Sequence, residues 1–394
     1  MEKKQNVPAL RFQGFSGEWE KTTVGKIFEV TRGETLAAPK TSPTQNPVMN
    51  YPVYSSQTKN NGLMGYYSEY LFENAITWTT DGANAGTVRF RKGKFYCTNV
   101  CGVLLSKQGY ANTFMAEALN KVVWKHVSKV GNPKLMNNVM KEISIHAPKT
   151  IDEQNELAEY IEKLDLNIFN RMQKIRKLQQ FRQAMLAKLF PREGAAEPEL
   201  RFRGFSGKWK LRRLSDFVKE VTRVDASSHA PVMMITAANG FINQSERYSF
   251  DNSGQSLQKY ILLKQGELAY NHGASKLRPF GSCFVLREKE ARVPFVYHCF
   301  SVTDNYADFV ALELNGNFVE RQLRRIVSSS ARMDGLLNIS FEEYCTVKIA
   351  LPCQEEQRKI GNFFRNLDTY ISLQQKKLER MQRLKAALLE KLFV

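Results

Sequence analysis

One ten-residue sequence occurs twice in this chain. Residues 10–19 are LRFQGFSGEW and residues 200–209 are LRFRGFSGKW, with differences only at the fourth and ninth positions. A match of this length does not arise by chance, so the first hypothesis is a duplicated structural unit. With 394 residues, the chain is long enough for two domains and an additional segment.

A second repeat follows each copy of this decapeptide. Residues 152–190 align without gaps with residues 355–393. Both segments lack proline and are rich in Leu, Glu, Lys, Gln and Arg, which favours helices. Thr150 and Glu153 form a capping-box pattern at the start of the first helix, whereas Cys353 replaces the threonine in the second, where we expect a weaker cap. The chain is therefore predicted to contain a decapeptide, a globular block and a long helix, twice over.

The apolar residues of both predicted helices follow a heptad rhythm. Spacings of four and three residues predict a coiled-coil seam between two antiparallel helices related by a pseudo-twofold axis. The predicted helix-pairing residues are Leu157, Ile161, Leu164, Ile168, Arg171, Ile175, Leu178, Met185 and Leu189, and Ile360, Phe364, Leu367, Ile371, Gln374, Leu378, Met381, Leu388 and Leu392. Arg171 is expected to meet Gln374 at the centre. Arg182 and Lys385 are expected to extend their charges outward to solvent.

The globular blocks are expected to mix strands and helices. In the first block the pattern predicts strands at 75–80, 86–90 and 95–105 and a helix at 113–127. In the second block it predicts strands at 267–271, 281–286 and 293–302 and a helix at 317–327. The fold class is therefore α+β: two mixed α/β domains joined by two long antiparallel coiled-coil helices, with a pseudo-twofold internal repeat. At about 1.5 Å per residue, each helix is a rod of roughly 58 Å.

The composition indicates a globular protein with a polyanionic partner. Hydrophobic residues make up 43% of the chain, and the formal net charge is +18 at pH 7. Residues 1–150 carry 19 basic and 10 acidic side chains, and residues 200–352 carry 21 and 15, so the positive charge is concentrated in the two blocks. Such an excess favours nucleic acid as a partner. The alternative is a basic surface that only keeps the protein in solution.

The remaining sequence features exclude several other classes. The six cysteines lack paired spacing and the five histidines complete no zinc pattern, so we expect reduced, mostly buried thiols and no metal. We find no signal peptide and no run of eighteen apolar residues, which predicts a soluble, unexported protein. There is no GxxxxGK[ST] phosphate loop, no Asn/Asp-Pro-Pro-aromatic tetrapeptide and no nucleophilic triad. A recognition chain without its own catalytic site is the predicted class.

Polar and basic loops supply the candidate DNA contacts. The loops at 54–62 and 78–94 in the first block and at 270–281 and 328–335 in the second combine amides that can bind base edges with cations that can bind phosphates. The predicted DNA-binding residues are Gln57, Lys59, Asn60, Asn61, Asn84, Arg89, Arg91, Lys92, Asn271, His272, Ser275, Lys276, Arg278 and Arg332. The aromatic residues of the decapeptide are expected to pack inside the fold rather than stack on bases.

These features together resemble a known family. The doubled decapeptide, the helices that begin with Glu-Gln and end in Lys-Leu-Phe, and the sequences YPVYSSQTKNNG and WTTDGANAGTV are similar to the specificity subunit of type I restriction-modification systems. The resemblance implies target recognition domains at 1–150 and 200–352, spacer helices at 151–190 and 353–394, and a linker at 191–199. Each domain would read one half of a bipartite, asymmetric DNA site.

The resemblance also implies partners and an absence of catalysis. A cytoplasmic complex would contain two modification subunits, which methylate adenine with S-adenosylmethionine, and a restriction subunit that uses ATP and Mg²⁺. This chain would bind double-stranded DNA and carry no cofactor, metal or catalytic residue itself. Two alternatives remain open at this point. One is a self-contained DNA methyltransferase with a disguised active site, and the other is a nucleic-acid-binding scaffold without sequence preference.

Overall fold

The computed structural model describes residues 6–56, 59–246, 254–273, 275–327 and 337–393. The chain forms two compact units. The first unit comprises Met1–Gln173 and Lys376–Val394, and the second comprises Lys174–Gln375. Each unit therefore contains one part of each long helix.

The first unit is built on a six-stranded sheet. Its strands are β1 (Glu20–Thr23), β2 (Glu29–Arg32), β3 (Tyr51–Tyr54), β4 (Leu63–Tyr67), β5 (Phe72–Thr79), β6 (Val88–Cys97), β7 (Cys101–Leu105) and β8 (Ser144–Ala147), and its helices are α1 (Val24–Ile27), α2 (Thr113–Val122), α3 (Asn137–Glu142) and part of α4 (Ile151–Leu189). The sheet order is β2-β7-β5-β6-β3-β4, in which only the β3–β6 pair is parallel. Strands β1 and β8 form a separate antiparallel pair.

The second unit repeats this plan with shorter strands. Its strands are β9 (Lys210–Arg213), β10 (Val218–Glu220), β11 (Met233–Thr236), β12 (Gly240–Asn243), β13 (Ile261–Lys264), β14 (Leu268–Asn271), β15 (Ser282–Val285), β16 (Glu290–Val293), β17 (His298–Val302) and β18 (Lys348–Leu351), and its helices are α5 (Ala307–Leu314), α6 (Asn317–Ile326), α7 (Phe341–Tyr344) and part of α8 (Gln354–Leu392). Strands β10-β17-β14-β15 form an antiparallel sheet, and β9 pairs with β18.

The two sheets share one topology. The order β2-β7-β5-β6 in the first unit corresponds to β10-β17-β14-β15 in the second, and the β1–β8 pair corresponds to β9–β18. All of these pairings are antiparallel. The internal repeat that the decapeptide predicts is thereby confirmed at the level of strand order.

The sheet of the first unit has two different faces. Ile76, Trp78 and Val88 project into the main core, which α2 and the start of α4 complete. The indole ring of Trp78 lies against Gly102, its partner on β7, where an added Cβ atom would come within 2.0 Å of the ring. Only glycine therefore fits at position 102. The opposite face carries a smaller apolar cluster and, beside it, the polar residues described below.

The decapeptide is a clip that binds the first turn of a long helix. Arg11 donates two hydrogen bonds of 2.7 Å to the carboxylate of Glu153, the third residue of α4, and a third of 2.5 Å to the carbonyl oxygen of Gly17. The indole nitrogen of Trp19 donates to the same carboxylate at 3.3 Å. Glu153 is only 2% exposed. Such bidentate, charge-assisted hydrogen bonds are among the strongest in proteins.

The second decapeptide makes the same arginine contacts, but among the described residues the indole nitrogen of Trp209 has no hydrogen-bond partner. Arg201 binds Glu356, the third residue of α8, through two hydrogen bonds of 2.7 Å, and donates to Gly207 at 2.6 Å. In both copies the two glycines have positive φ angles, from 84° to 100°, which explains why glycine occurs at these turns twice. The expected capping box is only half formed. The Thr150 hydroxyl accepts from the amide of Glu153 at 3.4 Å, but the Glu153 side chain binds Arg11 instead of reaching back.

The long helices pack antiparallel within each unit. In the second unit Lys174 of α4 lies over Tyr370 of α8, and Phe181 of α4 contacts Phe363 of α8. Residue numbers therefore rise along α4 while those of the contacting residues of α8 fall. In the first unit the pairing has the same sense, because Leu157 shares a core cluster with Leu392 while Asp165, further along α4, binds Lys385, which is earlier in α8. The predicted seam residues are buried or half-buried in both helices. Arg171 lies in the first unit and Gln374 in the second, and their pairing stays a prediction.

Two charged seam residues differ from the prediction. Arg182 does not extend to solvent but binds both carboxylate oxygens of Asp368, at 2.5 and 2.9 Å. Lys385, at the equivalent position of α8, binds Asp165 at 2.6 Å and Glu117 at 3.4 Å, and is only 18% exposed. The prediction was wrong because the acidic partners come from the neighbouring helix and from α2, which the heptad pattern of one helix does not reveal.

The decapeptide clip generates a stability prediction. In Glu153→Gln the half-buried Arg11 loses its counter-charge, so we expect the free energy of unfolding of the first unit to fall by about 3 kcal/mol. Urea unfolding followed by tryptophan fluorescence measures this. The control is Glu159→Gln, which removes an exposed ion pair with Lys163 and should change little. Equal stability of the two variants would contradict the clip.

Candidate nucleic-acid interface

The structure brings together the two loops of the first unit that the sequence singled out. A cleft open to solvent lies on the sheet face opposite α2. Residues of both loops and of the strands beside them line it: Ser55, Asn61, Gly62, Thr77, Trp78, Thr79, Thr87, Arg89, Arg91 and Cys101. Hydroxyl groups, an amide and two guanidinium groups thus share one concave surface.

A tight glycine turn presents Asn84 at the edge of this face. Gly82 and Gly86 both have positive φ angles, and the amide of Gly86 donates to the carbonyl oxygen of Thr79 at 2.8 Å. An added Cβ atom at Gly86 would come within 2.8 Å of the Val127 side chain. Asn84 is exposed at the tip of the turn, where its backbone carbonyl oxygen accepts from the Thr87 hydroxyl at 2.8 Å. The backbone is therefore held and the amide side chain is presented outward.

Asn60 and Asn61 form a second exposed amide pair. Both have left-handed backbone angles, with φ of 54° and 58°. Asparagine tolerates this conformation better than most residues, which accounts for two consecutive asparagines before Gly62. Gln57 lies outside the described residues, and so does the side chain of Lys59.

Arg89 and Arg91 project from the same face of β6. Arg89 is half-buried and lies opposite Thr77 on β5. Arg91 is only 9% exposed, its guanidinium lies 3.7 Å from the centre of the Tyr54 ring, and its Nε donates to the Thr77 hydroxyl at 3.0 Å. The sequence predicted a loop cation at position 91. The structure instead places a rigidly held guanidinium in the floor of the cleft, where burial lowers its pKa.

Lys92 points the other way. Strand alternation puts it on the face towards α4, where its ammonium group lies 3.5 Å from Glu162. We therefore remove Lys92 from the proposed contact set. Lys94 is exposed and lies over the ring of Tyr70, at 4.5 Å from its centre, and a hydrogen bond to Tyr70 raises its pKa.

In the second unit two predicted contacts belong to the interior. The ring nitrogens of His272, a residue only 5% exposed, lie 2.8 Å from the carbonyl oxygens of Leu337 and Val296. The side-chain amide of Asn271 donates to the carbonyl oxygen of Ile235 and its oxygen accepts from the backbone of the same loop. Both side chains hold the loop in place, so neither is retained as a base-contacting residue. A polar pair after a strand does not by itself show which way it points.

The same loop presents a smaller exposed group. Ser275 and Lys276 are exposed, and Ser275 forms a turn with Arg278. Arg278 turns inward and donates to the carbonyl oxygen of Asn315 at 2.7 Å, and burial lowers its pKa. We remove Arg278 from the contact set for this reason. Arg332 lies outside the described residues.

The sequence analysis missed part of the cleft. Ser55, Thr77, Thr79 and Thr87 line it, and Tyr54 supports Arg91 from below. The alternation of Thr77 and Thr79 with the apolar Ile76 and Trp78 was the available signal, because alternate residues of a strand face opposite sides of the sheet. It could not show that β3 lies beside β6.

The described part of the chain adds three general observations. No group of three or more His, Cys, Asp or Glu residues there is arranged to hold a metal ion. No helix in it is long and apolar enough to cross a membrane. All six cysteines are free thiols, five of them buried and Cys353 exposed.

Comparison with known proteins identifies the domain type. Residues 16–180 match the family model of the type I restriction modification DNA specificity domain. This part of the chain, less than half of its length, is therefore similar to that specificity domain. The matched residues contain the six-stranded sheet, its polar cleft and most of α4.

Curated relatives of this specificity domain come from Mycoplasma pneumoniae. The N-terminal part of one type I specificity subunit is 39% identical over 122 residues, which cover 30% of this chain and 64% of the relative. The specificity subunit of the type I restriction enzyme MpnII is 36% identical over 141 residues, or 35% of this chain and 42% of the relative. The chain thus spans less than two thirds of the length of either. Both relatives are named specificity subunits, in agreement with the prediction of a non-catalytic chain.

A solved structure matches the fold over nearly the whole chain. The S subunit of a type I restriction-modification system from M. genitalium has a TM-score of 0.69 and 17% sequence identity, and the match covers 98% of this chain and 99% of that one. At this identity the likeness concerns the fold. The predicted fold class, two mixed α/β domains with two long helices, is confirmed.

His298, next to His272, makes the second unit sensitive to pH. Burial lowers the pKa of His298 below its ordinary value of 6.5. The unfolded chain therefore takes up a proton that the folded chain resists, and stability should be complete above pH 6.5 and fall as the pH drops below it. In His298→Gln we expect a smaller loss of unfolding free energy between pH 7.5 and 5.5. The exposed His126→Gln is the control, and an unchanged pH profile in His298→Gln would contradict the prediction.

Proposed function

We propose that this chain is the sequence-specific DNA-recognition subunit of a type I restriction-modification complex. Residues 1–150 and 200–352 would act as two target recognition domains, each reading one half of a bipartite, asymmetric site. The observation that carries the proposal is that both units repeat one sheet topology and one decapeptide clip while their exposed loops differ. Two units with the same sheet and clip but different exposed loops are suited to binding two half-sites of different sequence.

The retained contact set divides by chemistry. Asn60, Asn61 and Asn84 supply amide groups that can bind base edges, and Arg89, Ser275 and Lys276 supply phosphate contacts. Phosphate contacts give affinity that falls with salt, whereas amide contacts discriminate bases. Gln57, Lys59 and Arg332 stay in the proposed set on sequence grounds alone.

The long helices are proposed to set the distance between the half-sites. Helices at 151–190 and 353–394, ion-paired within each unit through Arg182–Asp368 and Lys385–Asp165, form a stiff spacer. A stiff spacer fixes the number of base pairs that separate the two half-sites, in the way that dimer geometry fixes half-site spacing elsewhere.

The helices also expose apolar side chains suited to partner subunits. Leu166, Phe169 and Met172 lie three residues apart on α4 and are 59%, 55% and 48% exposed. Adjacent exposed apolar residues mark protein interaction surfaces. We propose that two modification subunits, which would carry S-adenosylmethionine, dock on the helices, and that a restriction subunit with ATP and Mg²⁺ completes a cytoplasmic complex on double-stranded DNA.

The spacer role predicts how a longer helix changes the target. Seven residues inserted after Arg171 and seven after Gln374 lengthen the helices by about 10 Å. Because base pairs rise by about 3.4 Å, the gap between half-sites should grow by about three base pairs, while both half-sites stay the same. Genome-wide mapping of methylated adenines in a strain that carries the insertion measures this. A gap of unchanged length would count against the spacer.

The docking role predicts a separate defect. In a Leu166→Ser, Phe169→Asp double variant we expect co-purification with the modification subunits to fall at least tenfold, since the apolar contact is lost, while the unfolding temperature stays the same. Val130→Asp is the matched control, because Val130 is 90% exposed and lies away from the helices. If the double variant co-purifies as well as the wild type, the modification subunits do not bind this face of the helix.

The two alternatives make different predictions. A self-contained methyltransferase requires that the purified chain alone transfer methyl groups from S-adenosylmethionine to mixed DNA, and we expect no transfer. A scaffold without sequence preference requires that the assembled complex enrich no motif from random DNA. We expect a bipartite motif, and its absence would favour the scaffold.

A further inference from the structure

The floor of the cleft in the first unit contains a cation held in one geometry. The Thr77 hydroxyl accepts from Nε of Arg91 and donates to the carbonyl oxygen of Arg89, at 3.0 and 3.5 Å, and so orients both residues. The Tyr54 ring supports the flat side of the Arg91 guanidinium. The cross-strand neighbour of Arg91 is Ala75, a small residue. The guanidinium is thereby rigid before any ligand arrives.

No acidic group neutralises this cation. Within the described residues neither Arg91 nor Arg89 forms an ion pair with a carboxylate, and Arg89 adds repulsion that lowers the pKa of Arg91 further. The Cys101 thiol lines the same cleft, but burial raises its pKa to about 11, so it remains neutral at physiological pH. A guanidinium stays charged in proteins. Burial of an unpaired charge is unfavourable, and an anionic ligand would offset that cost.

The rest of the cleft provides donors for oxygen atoms. The hydroxyl groups of Ser55 and Thr79 and the side-chain amide of Asn61 line it. A guanidinium fork with surrounding hydroxyl donors is the arrangement that binds phosphate oxygens.

We propose that this cleft is a phosphate-binding site, with Arg91 as its fixed cation and Arg89 as a second one. The phosphate group can be a phosphodiester of the DNA backbone, which rests on the proposed function, or a free phosphate ion. In the first case the site fixes the position of the recognition domain on the duplex and leaves base discrimination to Asn60, Asn61 and Asn84. The site assigns Arg91 a role different from that of the exposed loop residues.

The test compares four full-length proteins: wild type, Arg91→Gln, Arg89→Gln and Lys92→Gln. Lys92 is the matched control because it lies on the same strand but faces α4. Thermal unfolding is measured in sodium phosphate and in sodium chloride at equal ionic strength. The general stabilising effect of phosphate is common to all four proteins, so only the difference between them reports the site. If Arg91→Gln does not fold, the phosphate response of Arg89→Gln alone tests the proposed site.

A second arm measures binding of the assembled complex to a duplex target at several salt concentrations. We expect both arginine variants to lose the extra stabilisation by phosphate, and the slope of log affinity against log salt to fall by about 0.9, the value for one lost phosphate contact. Lys92→Gln should behave as wild type in both arms.

The outcomes distinguish a DNA backbone phosphate from a free phosphate ion, and they distinguish both from the absence of a phosphate site. Loss of the phosphate response together with a smaller salt slope supports a backbone phosphate. Loss of the response with an unchanged slope and an unchanged base preference supports a free phosphate ion. A smaller slope alone also supports a backbone phosphate. Unchanged phosphate response and unchanged slope in both arginine variants overturn the site, even if the complex still binds its target. A changed base preference with an unchanged slope also overturns it, because the ligand would then be a base edge.

Discussion

Each unit depends on a buried ion pair between an arginine of the decapeptide and a glutamate in the first turn of a long helix. Arg11–Glu153 and Arg201–Glu356 have the same hydrogen bonds at the same distances. Because a buried carboxylate needs a partner, the decapeptide cannot leave the helix without a large cost. The clip leads directly into β1 and β9, so it also fixes where the pairs β1–β8 and β9–β18 begin relative to the long helices.

The two faces of the sheet have different roles, one in core packing and one in forming the cleft. In the first unit one face packs Ile76 and Trp78 against α2 and α4, while the other bears Arg89, Arg91 and the hydroxyl groups of the cleft. Changes on the polar face leave the core face intact, since alternate residues of a strand point in opposite directions. This arrangement lets the exposed loops of the two units diverge while Arg11 and Arg201 keep identical partners.

The sequence predicted the helices and the duplication well, because both are local or repeated patterns. The heptads located Ile151–Leu189 and Gln354–Leu392 to within one residue at each end. The sequence predicted the directions of loop side chains poorly. His272 and Arg278 lie in a polar loop, yet their partners, Leu337 and Asn315, come from distant segments. The parallel pairing of β3 with β6, which places Tyr54 under Arg91, likewise joins segments about forty residues apart and leaves no local pattern.

The division of the chain into units has a consequence for its synthesis. The second unit is a continuous stretch, Lys174–Gln375, whereas the first unit includes Lys376–Val394. Domains generally fold as units while the chain emerges from the ribosome, with the N-terminal domain first. Here the second unit has all of its residues before the first receives the helical segment Lys376–Val394. Until residues 392 and 393 have been synthesised, Leu157 and Phe114 lack the core partners Leu392 and Phe393.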